Sequence, residues 1–319
     1  MKKLICVFAL VIISVFSLVS CKADDYNKAL ELIEAGENEE AYELLKSVGF
    51  YKNARKMLKD FYFVPTRIVC SKGTGGSAVL ELTYGDNHFP MQYTLTHFDR
   101  KTSTGVYEYD DNGFLISARF NEPHGVTERK NVYNSKGLLA TRLDSLTYNN
   151  TSRAFVHTCS YVYDEEDRLV ELDYNDGSKW EYTYDEDGNL VKKVYVSDIP
   201  ALRQCLEYTY DDKGQKTAQK TDDISAKFKL VEYFYDSEGR RVKVVCTRQS
   251  EVKDTIQSFY DDNGLLVKET REDVSGRQKT VDTVEIEYKC IYIPYEVPKK
   301  AIELFDANNW RWSSFWWDP

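Results

Sequence analysis

Catalysis or metal binding in this chain would have to come from four histidines, seven cysteines and 52 acidic residues among 319. The histidines, His88, His97, His124 and His157, fall at scattered intervals with no ligand spacing. No H-E-x-x-H, G-x-S-x-G or phosphate-loop sequence occurs. Gly73-Thr74-Gly75-Gly76 lacks the Lys-Ser/Thr that a phosphate cradle needs and reads as a turn. No two cysteines form a C-x-x-C pair, which removes the zinc-ribbon and thioredoxin-like patterns. Asp185-Glu186-Asp187-Gly188-Asn189 gathers acidic residues as a Ca²⁺ loop would, yet no bidentate Glu follows at EF-hand spacing. The sequence predicts no enzyme, no cofactor and no metal site.

Binding has better candidates. Four of the five tryptophans, Trp310, Trp312, Trp316 and Trp317, lie within eight residues. Rings so clustered suit sugar faces or a partner protein if exposed, and plug the end of a sheet if buried. Cys70, Cys159, Cys205, Cys246 and Cys290 are an odd set, so at least one stays unpaired. Four of them, Cys70, Cys159, Cys246 and Cys290, lie in apolar or strand-like contexts, which favours buried free thiols over disulfides.

The elements that carry these residues are written in a repeat. Tyr109-Asp110-Asp111-Asn112-Gly113 recurs as Tyr133-Asn134-Ser135-Lys136-Gly137, Tyr163-Asp164-Glu165-Glu166-Asp167 and Tyr184-Asp185-Glu186-Asp187-Gly188. It continues as Tyr210-Asp211-Asp212-Lys213-Gly214, Tyr235-Asp236-Ser237-Glu238-Gly239 and Tyr260-Asp261-Asp262-Asn263-Gly264. The tyrosines stand 24, 30, 21, 26, 25 and 25 residues apart, and a decayed copy begins at Tyr84. Asp at the first position of a type I turn accepts a backbone N–H two residues on, and the closing Gly takes positive φ. Alternating runs flank each copy, such as Val231-Glu232-Tyr233-Phe234-Tyr235, so each copy predicts a β-hairpin.

Seven copies resemble the YD-repeat family, also called Rhs-like, over roughly residues 80–290. In that family long arrays coil into hollow shells around toxin cargo. Seven or eight hairpins look too few to close such a shell. The resemblance therefore implies a mainly β fold, an elongated, curled antiparallel sheet of stacked hairpins forming an open or partial barrel. Tyrosine ladders across neighbouring strands are expected to stabilise it.

Helices are expected at both ends. From Asp25 to about Asp60 the apolar residues recur at three and four, with Gly36 and Gly49 as stops. The stretch resembles one and a half tetratricopeptide units, which fits either a peptide groove or a cap over the end of the sheet. A short helix is expected from about Pro298 to Ala307. The division read from the sequence is a signal peptide at 1–20, a tether and helices at 21–62, the repeat sheet at 63–293 and a Trp-rich cap at 294–319.

The start of the chain places the protein. Lys2 and Lys3 precede an apolar run from Leu4 to Leu18, and Leu18-Val19-Ser20-Cys21 resembles the bacterial lipobox. The resemblance implies lipidation at Cys21 and a mature chain held on the extracytoplasmic face of a bacterial membrane. Ala23-Asp24-Asp25 after Lys22 loosely resembles an acidic surface-export signature. The residues from Cys21 onward carry 40 Lys and Arg, since Lys2 and Lys3 fall before it, against 52 Asp and Glu. That balance argues against binding nucleic acid through its phosphates. The expected function is a non-catalytic binding or adhesion module for a glycan or protein. The other reading is a cell-envelope assembly protein that docks a partner through its helices.

Overall fold

The structure, a computed structural model, describes residues 22–85, 89–149, 154–223, 226–248, 251–274 and 279–292. Cys21, Trp310, Trp312, Trp316, Trp317 and the helix expected at 298–307 lie outside these residues.

Three helices open the described chain. Helix α1 covers 22–35, α2 Asn38–Val48 and α3 the single turn Ala54–Met57, followed by a 3₁₀ turn at Leu58–Asp60. Gly36 and Gly49, at φ 78° and 62°, end the first two by adopting a backbone that other residues resist. Ala29, Ala41, Leu45, Val48 and Ala54 are buried together with Phe61 and Cys290 of the sheet. The Tyr42 ring meets Phe61 at 5.5 Å and Phe63 at 5.0 Å, edge to face. The apolar helix stripes therefore pack on the end of the sheet.

Eighteen strands follow. The first six are β1 Phe61–Ser71, β2 Ser77–Tyr84, β3 Pro90–Thr96, β4 Thr102–Tyr109, β5 Leu115–Glu122 and β6 Gly125–Tyr133. Next come β7 Leu139–Tyr148, β8 Ala154–Tyr163, β9 Leu169–Tyr174, β10 Lys179–Tyr184, β11 Leu190–Val196 and β12 Gln204–Tyr210. The last are β13 Lys216–Thr221, β14 Leu230–Tyr235, β15 Arg241–Arg248, β16 Glu251–Tyr260, β17 Leu266–Asp273 and β18 Thr280–Tyr292. Each pairs antiparallel with its neighbours in sequence, and β1 pairs with both β2 and β18. The sheet is thus a closed barrel and not the open or partial one expected from the hairpin count. The closing seam runs from Phe61↔Tyr292 to Ser71↔Thr283, which leaves no free edge. β1 carries no YD turn, and Tyr288 of β18 is followed by Lys289 instead of the repeat Asp, so the repeat count could not reveal their pairing.

The even-numbered strands all end at one rim, and the YD turns cluster there. Lys46 of α2 reaches across to donate to Asn263 Oδ1 in the last of these turns at 2.6 Å. The described chain also leaves the barrel at this rim, where Tyr292 stacks on Phe61 at 4.9 Å. With eighteen antiparallel strands, β18 ends at the rim where β1 begins.

The two faces of the wall differ in chemistry. The inner face carries an apolar core on β14–β18 and β1–β5, including Ile68, Cys70, Leu80, Leu95, Val244, Val284 and Ile286. Gly105 on this face has no room for a side chain, because a Cβ there would stand 2.0 Å from the Tyr93 ring. The outer face is laced with ion pairs between strands, among them Arg67–Glu287 at 2.6 Å, Lys179–Glu171 at 2.5 Å and Lys268–Glu285 at 3.0 Å. Exposed apolar side chains, among them Val132, Val156, Phe234 and Phe259, lie between these pairs on the outer face.

Candidate binding wall inside the barrel

Asp turn chemistry sets the strand ends from which the inner residues project. Asp236 Oδ1 accepts the backbone N–H groups of Glu238 and Arg240, both at 2.9 Å. Asp110, Asp164, Asp211 and Asp261 hold their turns with the same two bonds, to the residues two and four further on. Asp185 Oδ1 accepts from Asn189 N, and its Oδ2 takes the Asn189 side-chain amide, so both oxygens serve the turn. Gly113, Gly188, Gly214, Gly239 and Gly264 close these loops at φ 75–84°, and Asp167 takes φ 62° where its copy lacks glycine.

With the turns fixed, alternate side chains of β6–β12 point inward. Register places Trp180 opposite Tyr195, Tyr182 opposite Lys193, and Arg142 opposite Cys159, which in turn faces Tyr174. The Trp180 and Tyr195 rings lie 5.1 Å apart, and Lys193 Nζ stands 4.0 Å over Trp180 and 5.5 Å over Tyr182. Beside them Arg129 forms a two-pronged pair with Asp144 at 2.7 and 3.2 Å. Arg142 joins the same carboxylate at 3.0 Å and donates to Cys159 Sγ at 3.4 Å.

Trp180, Tyr161, Tyr174, Tyr182, Tyr195 and Tyr208 are all half-buried. Each of these rings therefore keeps part of its surface open to solvent, unlike the apolar core on β14–β18 and β1–β5. Burial pushes the Tyr182 phenol up to about 12 and raises those of Tyr161 and Tyr174, so all three stay protonated donors at neutral pH. The wall therefore presents flat apolar faces, neutral hydroxyls and fixed cations, which suits a polyhydroxylated ring.

Elsewhere the geometry is structural. His97 Nε2 lies 2.7 Å from Ser103 Oγ, but Ser103 is only 3% exposed. The nearby Asp99 is engaged by Lys101 at 2.9 Å. The pair pins a turn. Among the described residues no group of three or more His, Cys, Asp or Glu side chains is arranged to hold a metal ion. Cys70, Cys159, Cys246 and Cys290 are buried free thiols and Cys205 is a half-buried one. A shallow depression of about 440 Å³ lies between β1, β2, β3 and β18, where Arg67 and Glu287 already satisfy each other.

The decisive comparison falls within this wall. Residues 163–198 match the RHS Repeat family. That stretch takes in two successive YD turns, at 163–167 and 184–188, together with Trp180, Lys193 and Tyr195. The RHS repeats are thus the scaffold of the inner aromatic row. No curated protein matches the chain. Among solved structures, TcdB2-TccC3-TEV is similar at 14% identity and TM-score 0.32, with 60% of this chain aligned to 11% of that one. The Photorhabdus luminescens Tc holotoxin pore is similar at 14% identity and TM-score 0.34, over 74% of this chain and 13% of that one. A porin-like protein from Bacteroides uniformis aligns over 70% of this chain and 98% of its own, at 14% identity and TM-score 0.38. This chain spans about an eighth of the toxin chains' length, and similarity at these scores carries no argument about function.

Sequence reasoning missed Trp180, Lys193, Tyr195 and Arg142 as site residues. The alternation Trp180-x-Tyr182-x-Tyr184 marks one face of a strand, but nothing local says that this face lines an interior.

Proposed function

We propose that the protein is an extracytoplasmic lipoprotein, anchored at Cys21, whose RHS-repeat barrel is a non-catalytic binding module for a glycan. The observation that carries this reading is the inner row on β8–β12, with Trp180 stacked on Tyr195 and capped by Lys193. Aromatic faces with a few placed polar groups are the usual make-up of a small-ligand site. On this reading the lipid at Cys21 supplies the membrane attachment.

Titration of the chain from residue 22 with a panel of oligosaccharides, followed by Trp fluorescence, tests it. Saturable binding that Trp180→Ala abolishes, with the melting temperature unchanged, supports the inner wall. Binding that survives Trp180→Ala moves the site to Trp310, Trp312, Trp316 and Trp317, which still report. An absence of saturable binding across the panel rejects the glycan reading. Palmitate labelling tests the anchor, since Cys21→Ser should lose both label and membrane retention. The second reading, an envelope assembly protein docked through its helices, has less support because the apolar helix faces already pack on β1 and β18.

A further inference from the structure

The corner between α2 and α3 differs from the rest of the molecule in two independent ways. Residues 46–59 contain Lys46, Lys52, Arg55, Lys56 and Lys59 and no acidic residue, in a chain whose net charge is −10. Lys52, Arg55, Lys56 and Lys59 are exposed, and among the described residues none of the four is in an ion pair. At the tip stands Phe50, 82% exposed, the highest exposure of any large apolar side chain among the described residues. Arg55 lies over its ring at 4.8 Å. The neighbouring apolar residues Val48 and Ala54 are buried, so Phe50 is the one the local fold leaves out.

We propose that this corner is a docking surface for a bilayer rich in anionic lipid headgroups, with Phe50 entering the interface and the four cations lying on the headgroups. Basic side chains near an anionic surface each add attraction that salt screens, and a single aromatic ring suits the headgroup level. Acidic turns ring the same rim, with Asp261–Asp262 after β16 beside the corner. An acidic arc of Glu165–Glu166, Glu186–Asp187 and Asp211–Asp212, after β8, β10 and β12, lies across from it, so the attraction is local to the corner. This inference stands apart from the lipid anchor, which would add to it.

The test uses the chain from residue 22, whose three core clusters all lie within residues 26–291 and need nothing upstream. It is spun with vesicles of phosphatidylcholine alone or of equal parts phosphatidylcholine and phosphatidylglycerol. Co-sedimentation with the anionic vesicles only, released by high salt, is the expected result. K52E/R55E/K56E should lower partitioning at least about tenfold, and Phe50→Ser should lower it while leaving the salt dependence in place. Lys52 also lies over the Tyr26 and Tyr51 rings, so circular dichroism must show each variant folded, and R55E/K56E, which leaves those contacts in place, must lower partitioning as well. Equal binding to neutral vesicles, or full binding by the charge-reversed variant, overturns the proposal. So does pelleting without vesicles, which would make the corner a contact with the acidic arc of a second copy.

Discussion

The hydroxyl of Tyr235 donates to the backbone carbonyl of Lys216 at 2.9 Å, linking one hairpin to the hairpin before it. The same bond joins Tyr133 to Leu115, Tyr163 to Leu139, Tyr184 to Leu169, Tyr210 to Leu190, Tyr260 to Arg241 and Tyr288 to Leu266. The repeat tyrosine is therefore a cross-hairpin latch more than a stacking ring. Because the acceptor is main chain, Lys216 and Arg241 can stand where other copies have leucine.

Replacing Tyr235 with Phe should cost about 1 kcal/mol, since it removes a donor and leaves a carbonyl unpaired. Tyr109 is the control. Its buried hydroxyl has no partner among the described residues, and its ring packs on Phe89 at 5.1 Å. Tyr109→Phe should be neutral or stabilising. Urea unfolding of the two variants measures both, and equal losses would refute the latch.

Stability should fall on acidification below about pH 4, where turn carboxylates take up protons. The backbone N–H of Arg240 leads the hydrogen bonds that hold Asp236 below its ordinary value, and the Asn189 side chain does the same for Asp185. A depressed carboxyl stabilises the fold above its unfolded pKa and loses that contribution as pH falls through its folded one. Asn already stands in the second copy, where Asn134 Oδ1 accepts from Lys136 N and Leu138 N, both at 3.0 Å. Asp236→Asn should therefore keep the turn and flatten the acid dependence of urea unfolding. An unchanged pH profile would show that this turn does not contribute.

Asp254, 1% exposed, is the innermost charge and pairs with Arg271 and with Lys227 at 3.3 Å. Asp254→Ala leaves the half-buried Arg271 without its counter-charge, which should cost about 3 kcal/mol, the low end for breaking a buried pair. A loss below about 1 kcal/mol by calorimetry or denaturant titration would mean that water enters and solvates the guanidinium.

The sequence alone determined the hairpins, because their signals are local. Asp236 and Gly239 act within five residues, and the alternation of Val231 to Tyr235 needs no distant partner. The amphipathic period of the N-terminal helices was legible for the same reason, with Gly36 and Gly49 marking their ends. Only the tertiary structure decided that the sheet closes. Phe61 and Tyr292 meet although they stand 231 positions apart in the sequence, and no short-range pattern encodes such a pairing. Closure in turn decided what the alternation means. Trp180, Lys193 and Tyr195 lie on one face in any sheet, but only a closed barrel makes that face an interior and brings a ring, a cation and a second ring together there.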